Sequence, residues 1–131
     1  MDKLFEKALE SYHHSYSPYS KFAVGASILL KDGTIVGGTN VENASYGLSN
    51  CAERSCLFAV YSLGYHKEDI VKMMVVANTP KPVSPCGACR QVISELVPKE
   101  ADIILSNLKH DTKIMKIHEL LPYAFTDEDL S

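Results

Sequence analysis

Residues 85–90 read Pro85-Cys86-Gly87-Ala88-Cys89-Arg90, and residues 51–53 read Cys51-Ala52-Glu53. Two cysteines with two residues between them form a chelating pair, because one tight turn brings both thiolates to a single metal ion. Two thiolates do not complete a zinc site. A third soft ligand has to come from elsewhere in the chain, and Cys51 is the best candidate. Three protein ligands leave one position of a tetrahedral ion open, which is what a catalytic zinc needs to hold a water. Zinc draws the pKa of that water towards neutrality and so supplies a hydroxide nucleophile. A proton carrier must stand beside the water without binding the metal. Glu53, two residues after Cys51, is placed for that role.

The same two motifs organise the fold. Asn50 can cap a helix that starts at Cys51, runs to about Leu63 and ends at Gly64. A second helix covers Cys86 to Leu96, with Pro85 closing the loop before it. Both motifs then sit at helix N-termini, where the macrodipole lowers the cost of thiolates and a carboxylate. Between the helices, Val71 to Asn78 is an apolar, β-branched run that reads as a buried central strand. Upstream, Asp32-Gly33 joins strands over Ala23 to Lys31 and Thr34 to Asn40 as a hairpin. Downstream, Asp102 to Ser106 and Lys113 to Ile117 read as further strands. At the start, Leu4, Phe5, Ala8, Leu9 and Tyr12 recur at helical spacing within Asp2 to His13. The sum is a single α/β domain over residues 1–131, a three-layer α/β/α sandwich with one mixed five-stranded sheet. Ligands of such sheets bind where strand ends meet helix starts, and both cysteine motifs fall there.

Composition narrows the function. A net charge of −3 and singly scattered lysines argue against a polynucleotide partner, which needs a basic footprint. The N-terminus lacks the apolar core of a signal peptide and no run is long enough to span a bilayer, so a cytoplasmic protein with no membrane partner is expected. Thiols stay reduced there, and the four cysteines read as metal or core residues before disulfides. Cys56 lies five residues after Cys51, turned away from the metal side, and reads as a small core residue. Its rival role is a fourth ligand in a closed structural site. None of the five histidines has ligand spacing to the motifs.

Other residues carry two readings. Phe22 is either a core aromatic or a wall against which a flat base stacks. Asn40, Glu42 and Asn43 follow the hairpin and suit either turn chemistry or the hydroxyls of a sugar. Arg54 is either a surface cation or a partner that offsets the excess charge of three thiolates on zinc. The apolar tail Leu121-Pro122-Tyr123-Ala124-Phe125 needs a covering surface, and its own domain is the simplest one.

Asn40-Val41-Glu42-Asn43-Ala44-Ser45-Tyr46-Gly47, Cys51-Ala52-Glu53-Arg54 and Ser84-Pro85-Cys86-Gly87-Ala88-Cys89-Arg90-Gln91 together resemble the small homotetrameric cytidine deaminases. The order Cys-x-Glu, some thirty residues, Pro-Cys-x-x-Cys is the pattern of zinc deaminases of bases and nucleosides. The likeness runs from Tyr16-Ser17-Pro18-Tyr19-Ser20-Lys21-Phe22 to Leu120-Leu121-Pro122-Tyr123-Ala124-Phe125. It implies hydrolytic deamination of cytidine and deoxycytidine in pyrimidine salvage, by a zinc-bound hydroxide and a glutamate proton shuttle. It implies one zinc per chain held by Cys51, Cys86 and Cys89, with Glu53 catalytic and Arg54 touching the thiolates. It also implies substrate contacts from Phe22, Asn40, Glu42 and Ala52, and a homotetramer in which Phe125 closes a neighbouring subunit's site. Rival readings are an enzyme for another aminopyrimidine such as blasticidin S, a polynucleotide deaminase, a non-catalytic zinc module and a dithiol redox protein. The last two have no need of Glu53.

Overall fold

In the computed structural model, which describes residues 2–125, the Asp32-Gly33 turn joins β1 (Val24–Leu30) to β2 (Ile35–Thr39). Gly33 has φ +93°, a left-handed value that glycine adopts without strain, and the Asp32 carboxylate accepts the Thr34 N–H at 2.9 Å. β3 (Ile70–Ala77) pairs antiparallel with β1 and parallel with β4 (Asp102–Asn107), and β5 (Thr112–Met115) closes the far edge antiparallel to β4. The order β2-β1-β3-β4-β5 makes one mixed five-stranded sheet.

From Met73 to Ala77 β3 is buried on both faces, as its apolar run predicts. Met74 and Val76 pack with Ile104 against Leu4 and Ala8 of α1 (Lys3–His13). Met73, Val75 and Ile103 pack on the opposite face against Leu57 and Val60 of α2 (Ala52–Ser62) and Ile93 of α3 (Gly87–Leu96). The result is the expected α/β/α sandwich. Two glycines let the layers close. A Cβ on Gly25 would fall 2.0 Å from the Ala8 carbonyl oxygen, and one on Gly38 would fall 2.4 Å from the Cys56 nitrogen. Both helices therefore press directly on strand backbone, α1 from one side and α2 from the other.

Two expectations need correction. The last strand ends at Met115 rather than Ile117, and Ile117–Leu120 form a short helix, α4. The Glu119 carboxylate accepts the Lys116 N–H at 2.8 Å, and Ile117 and Leu120 are buried on the α2–α3 side. Capping and burial together override the strand pattern. The cap of α2 is Cys51 itself, in extended backbone, and not Asn50, whose amide donates to the Ser55 hydroxyl at 3.1 Å.

Candidate active site

Strand pairing decides where the site lies. Val24 at the start of β1 is paired with Ala77 at the end of β3, and Gly25 with Thr39 at the end of β2. The segments entering β1 and leaving β2 and β3 therefore meet at one edge of the sheet. α2 and α3 begin at that edge. Cys51 caps α2, Cys86 caps α3, and Cys89 lies in the first turn of α3, where its N–H donates to the Cys86 sulfur at 3.4 Å.

The three sulfurs lie within 4.8 Å of one another, and those of Cys51 and Cys86 are 3.9 Å apart. Tetrahedral zinc with Zn–S bonds of about 2.3 Å places its sulfurs about 3.8 Å apart, so the cluster fits the ion. None of the cysteines is in a disulfide. A hydrogen bond from the Cys89 thiol and then the Arg54 guanidinium, opposed by partial burial, bring the Cys51 pKa down to about 5. The same Cys51–Cys89 bond, with burial, pushes the Cys89 pKa up. Metal binding requires the ligating thiols to lose their protons. Arg54 donates from Nη2 to the Cys51 sulfur at 3.2 Å. Its Nε is buried and has no acceptor among the described residues.

Glu53 follows in the first turn of α2 with only 5 % exposure. Burial is the main cause that raises its pKa, and the Cys51 charge adds to it. Hydrogen bonds from its own backbone and from the Cys89 side chain pull the other way. A buried carboxyl with a raised pKa, beside the cysteine cluster, is suited to carrying a proton.

A cavity of about 230 Å³ opens beside the cluster and brings together Phe22, Asn40, Glu42, Cys51, Ala52, Glu53 and Cys86. A neighbouring cavity of about 440 Å³ shares Ser20, Asn40, Glu42 and Cys51 with it and is bounded by Tyr46 and Arg54. The Asn40 oxygen accepts from the Val24 N–H at 2.9 Å and the Ser15 hydroxyl at 2.6 Å, and its amide nitrogen donates to the Phe22 carbonyl at 2.8 Å. Asn40 therefore ties the backbone at Phe22 to the start of β1. Glu42 accepts the N–H groups of Tyr19 and Ser20 at 3.0 and 3.1 Å and the Ser20 hydroxyl. The hydroxyl is the first cause holding its pKa below the usual carboxylate range. Asn43 serves a turn, accepting the Ser45 N–H at 2.9 Å.

Phe22 is 43 % exposed, so it is no core aromatic. Phe125 is 58 % exposed and does not line the cavity beside the cluster, and its carbonyl accepts from Gln91 Nε2 at 2.8 Å. Cys56 is apart from the cluster, buried, with its thiol donating to the Val36 carbonyl at 3.2 Å. All five histidines are exposed. Sequence reasoning missed Ser20, which links Glu42 to Phe22 through the Phe22 N–H at 3.0 Å. The Ser20–Glu42 contact spans twenty-two residues and leaves no local signal.

Three cysteine sulfurs on two helix starts, with a buried carboxyl beside them, define a zinc-dependent hydrolytic centre on a mixed α/β sheet. The chain belongs to the cytidine and deoxycytidylate deaminase family, whose zinc-binding region matches residues 1–104. It is 51 % identical to a cytidine deaminase of Halalkalibacterium halodurans over 98 % of this chain and 96 % of that one. With a cytidine deaminase of Sporosarcina psychrophila the identity is 46 %, covering 100 % and 95 %. The crystal structure of cytidine deaminase from Burkholderia pseudomallei superposes with a TM-score of 0.90 at 44 % identity, covering 94 % of this chain and 97 % of that one. Among the described residues, no helix is long and apolar enough to cross a membrane.

Proposed function

We propose that the protein hydrolyses free cytidine and deoxycytidine to uridine and deoxyuridine with release of ammonia, each chain acting as one domain. The observation that carries this is Glu53, 5 % exposed, beside three converging cysteines on a cavity walled by Phe22, Asn40 and Glu42. A free nucleoside fits better than a polynucleotide, because the net charge is −3. Deamination of free nucleosides belongs to pyrimidine salvage, in the cytoplasm.

When bound by Cys51, Cys86 and Cys89, zinc makes the attacking water acidic enough to react near neutral pH. Phe22 supports one face of the ring and Ala52 backs the cavity. Asn40 and Glu42 hold the sugar hydroxyls, so that the amine-bearing carbon meets the water. As the water oxygen bonds to that carbon, Glu53 takes its proton and passes it to the adjacent ring nitrogen. Glu53 then carries the water's second proton to the amine, the C–N bond breaks, and ammonia leaves. The ring is left with a carbonyl. Arg54 keeps its charge against Cys51, offsetting the surplus of three thiolates over a divalent ion.

The test replaces Glu53 with glutamine, which keeps the shape and loses proton transfer. Glu53→Gln should retain zinc and lose deamination by at least about a hundred- to ten-thousand-fold, measured by the ultraviolet change of cytidine. Near-normal turnover would remove Glu53 from the mechanism.

The assembly belongs to the same reading. Phe125 and Tyr123 present rings to the surface, at 58 % and 106 % exposure. A homotetramer in which Phe125 closes a neighbour's pocket would bury these rings and exclude water from the reaction.

A further inference from the structure

We propose that Arg90 and Gln91 form a clamp that holds Leu120 and Phe125 against the metal-bearing end of α3. The turn of α3 that carries Cys89 then also sets where Phe125 is presented. This rests on the reading of Phe125 as a pocket-closing residue and adds the parts that position it.

The Arg90 guanidinium reaches two separate segments. Nε donates to the Pro85 carbonyl at 2.8 Å and Nη2 to the Ser84 hydroxyl, both just before Cys86. Nη1 donates to the Leu120 carbonyl at 2.6 Å, at the end of α4. Among the described residues no carboxylate pairs with Arg90. A planar fork with donors fixed in three directions suits this bridge, and a lysine could not reproduce it. The next residue holds the other end of the tail, since Gln91 Nε2 donates to the Phe125 carbonyl at 2.8 Å.

Between those two points, no side-chain hydrogen bond reaches the tail among the described residues. Pro122 lacks an N–H and Tyr123 has φ +55°, a left-handed conformation that a tyrosine adopts only under outside constraint. Both tail acceptors are main-chain oxygens. The clamp therefore fixes the path of the backbone and leaves the aromatic rings free to face outward. Arg90 and Gln91 act through Phe125 and do not themselves line the cavity beside the metal cluster. They are positioning residues.

The test uses the zinc-loaded full chain in three variants: Gln91→Met, which touches only the tail, Arg90→Lys and Phe125→Ala. Limited chymotrypsin digestion, followed by mass spectrometry, reads release of the tail at Tyr123 and Phe125. One lost hydrogen bond should speed that cleavage about tenfold in Gln91→Met. Zinc content should stay unchanged in that variant, and KM for cytidine should rise more than kcat falls. Adding Gln91→Met to Phe125→Ala should lower kcat/KM no further, because both act through one ring. Unchanged cleavage in both Gln91→Met and Arg90→Lys would overturn the clamp, and so would losses that multiply in the double variant. A fully active Phe125→Ala would instead sink the pocket-closing role, with the clamp then judged by cleavage alone.

Discussion

Cys51 and Cys56 are five residues apart, yet one faces the metal cluster and the other a carbonyl inside the core. Their environments imply opposite outcomes on replacement. Cys86→Ala and Cys89→Ala should release zinc, measured by atomic absorption, since two thiolates hold the ion poorly. Cys56→Ala should keep zinc and activity. Loss of metal from that variant would reinstate the closed four-cysteine site. A second residue-level outcome concerns acidity. The Ser20 hydroxyl holds the Glu42 pKa below the usual carboxylate range, so Glu42 stays ionised further as pH falls, which on the proposed reading keeps it able to accept a sugar hydroxyl. Ser20→Ala lets its pKa rise towards the ordinary value. KM for cytidine should then begin to climb at a higher pH than in the unchanged protein. Superimposable KM–pH profiles would separate Ser20 from the sugar contact. The metal cluster itself was legible from spacing, because chelation imposes short local distances. The bonds that Asn40 makes to Phe22 and Val24 were not, because they join segments sixteen and more residues apart.

At the level of elements, the hairpin, the central strand and both site helices are written in local chemistry. Asp32-Gly33 supplies a left-handed turn, and Met73–Ala77 is apolar because both faces are covered. α4 escaped that reading. Four residues are too few for a helical period to show, and Ile114 and Ile117 mimic a strand's apolar content. The close approach of helices to glycines was equally hidden, since a glycine in a strand reads only as a weak position. It now yields a prediction. Gly38→Ala places a methyl 2.4 Å from the Cys56 nitrogen, where only backbone can give way. Overpacking of this kind should lower unfolding free energy by about 1–3 kcal/mol in urea titrations. Gly47→Ala is the control, since its Cβ would meet nothing within 4 Å. Equal stability of the two variants would show that α2 is free to shift outward.

For the whole molecule, the question is whether one chain is a complete enzyme. The exposure of Phe125 and its absence from its own cavity predict complementation between chains. Two impaired variants, Glu53→Gln and Phe125→Ala, should regain part of their activity when dissociated, mixed and reassembled, because some mixed sites recover both groups. Verified mixed oligomers that stay inactive would confine Phe125 to its own subunit. The acidic end, Asp127-Glu128-Asp129, lies outside the described residues.

The cysteine cluster has a further consequence, for the order of events in folding. Its sulfurs come from two segments thirty-five residues apart, joined through β3 and the connection that leads to α3. Contacts of that sequence separation form late, because a long loop must close before anything rewards it. Helix signals on refolding should therefore appear well before metal is captured. The rate at which the chain withdraws zinc from a coloured chelator becomes a clock for the meeting of α2 and α3 across the crossover.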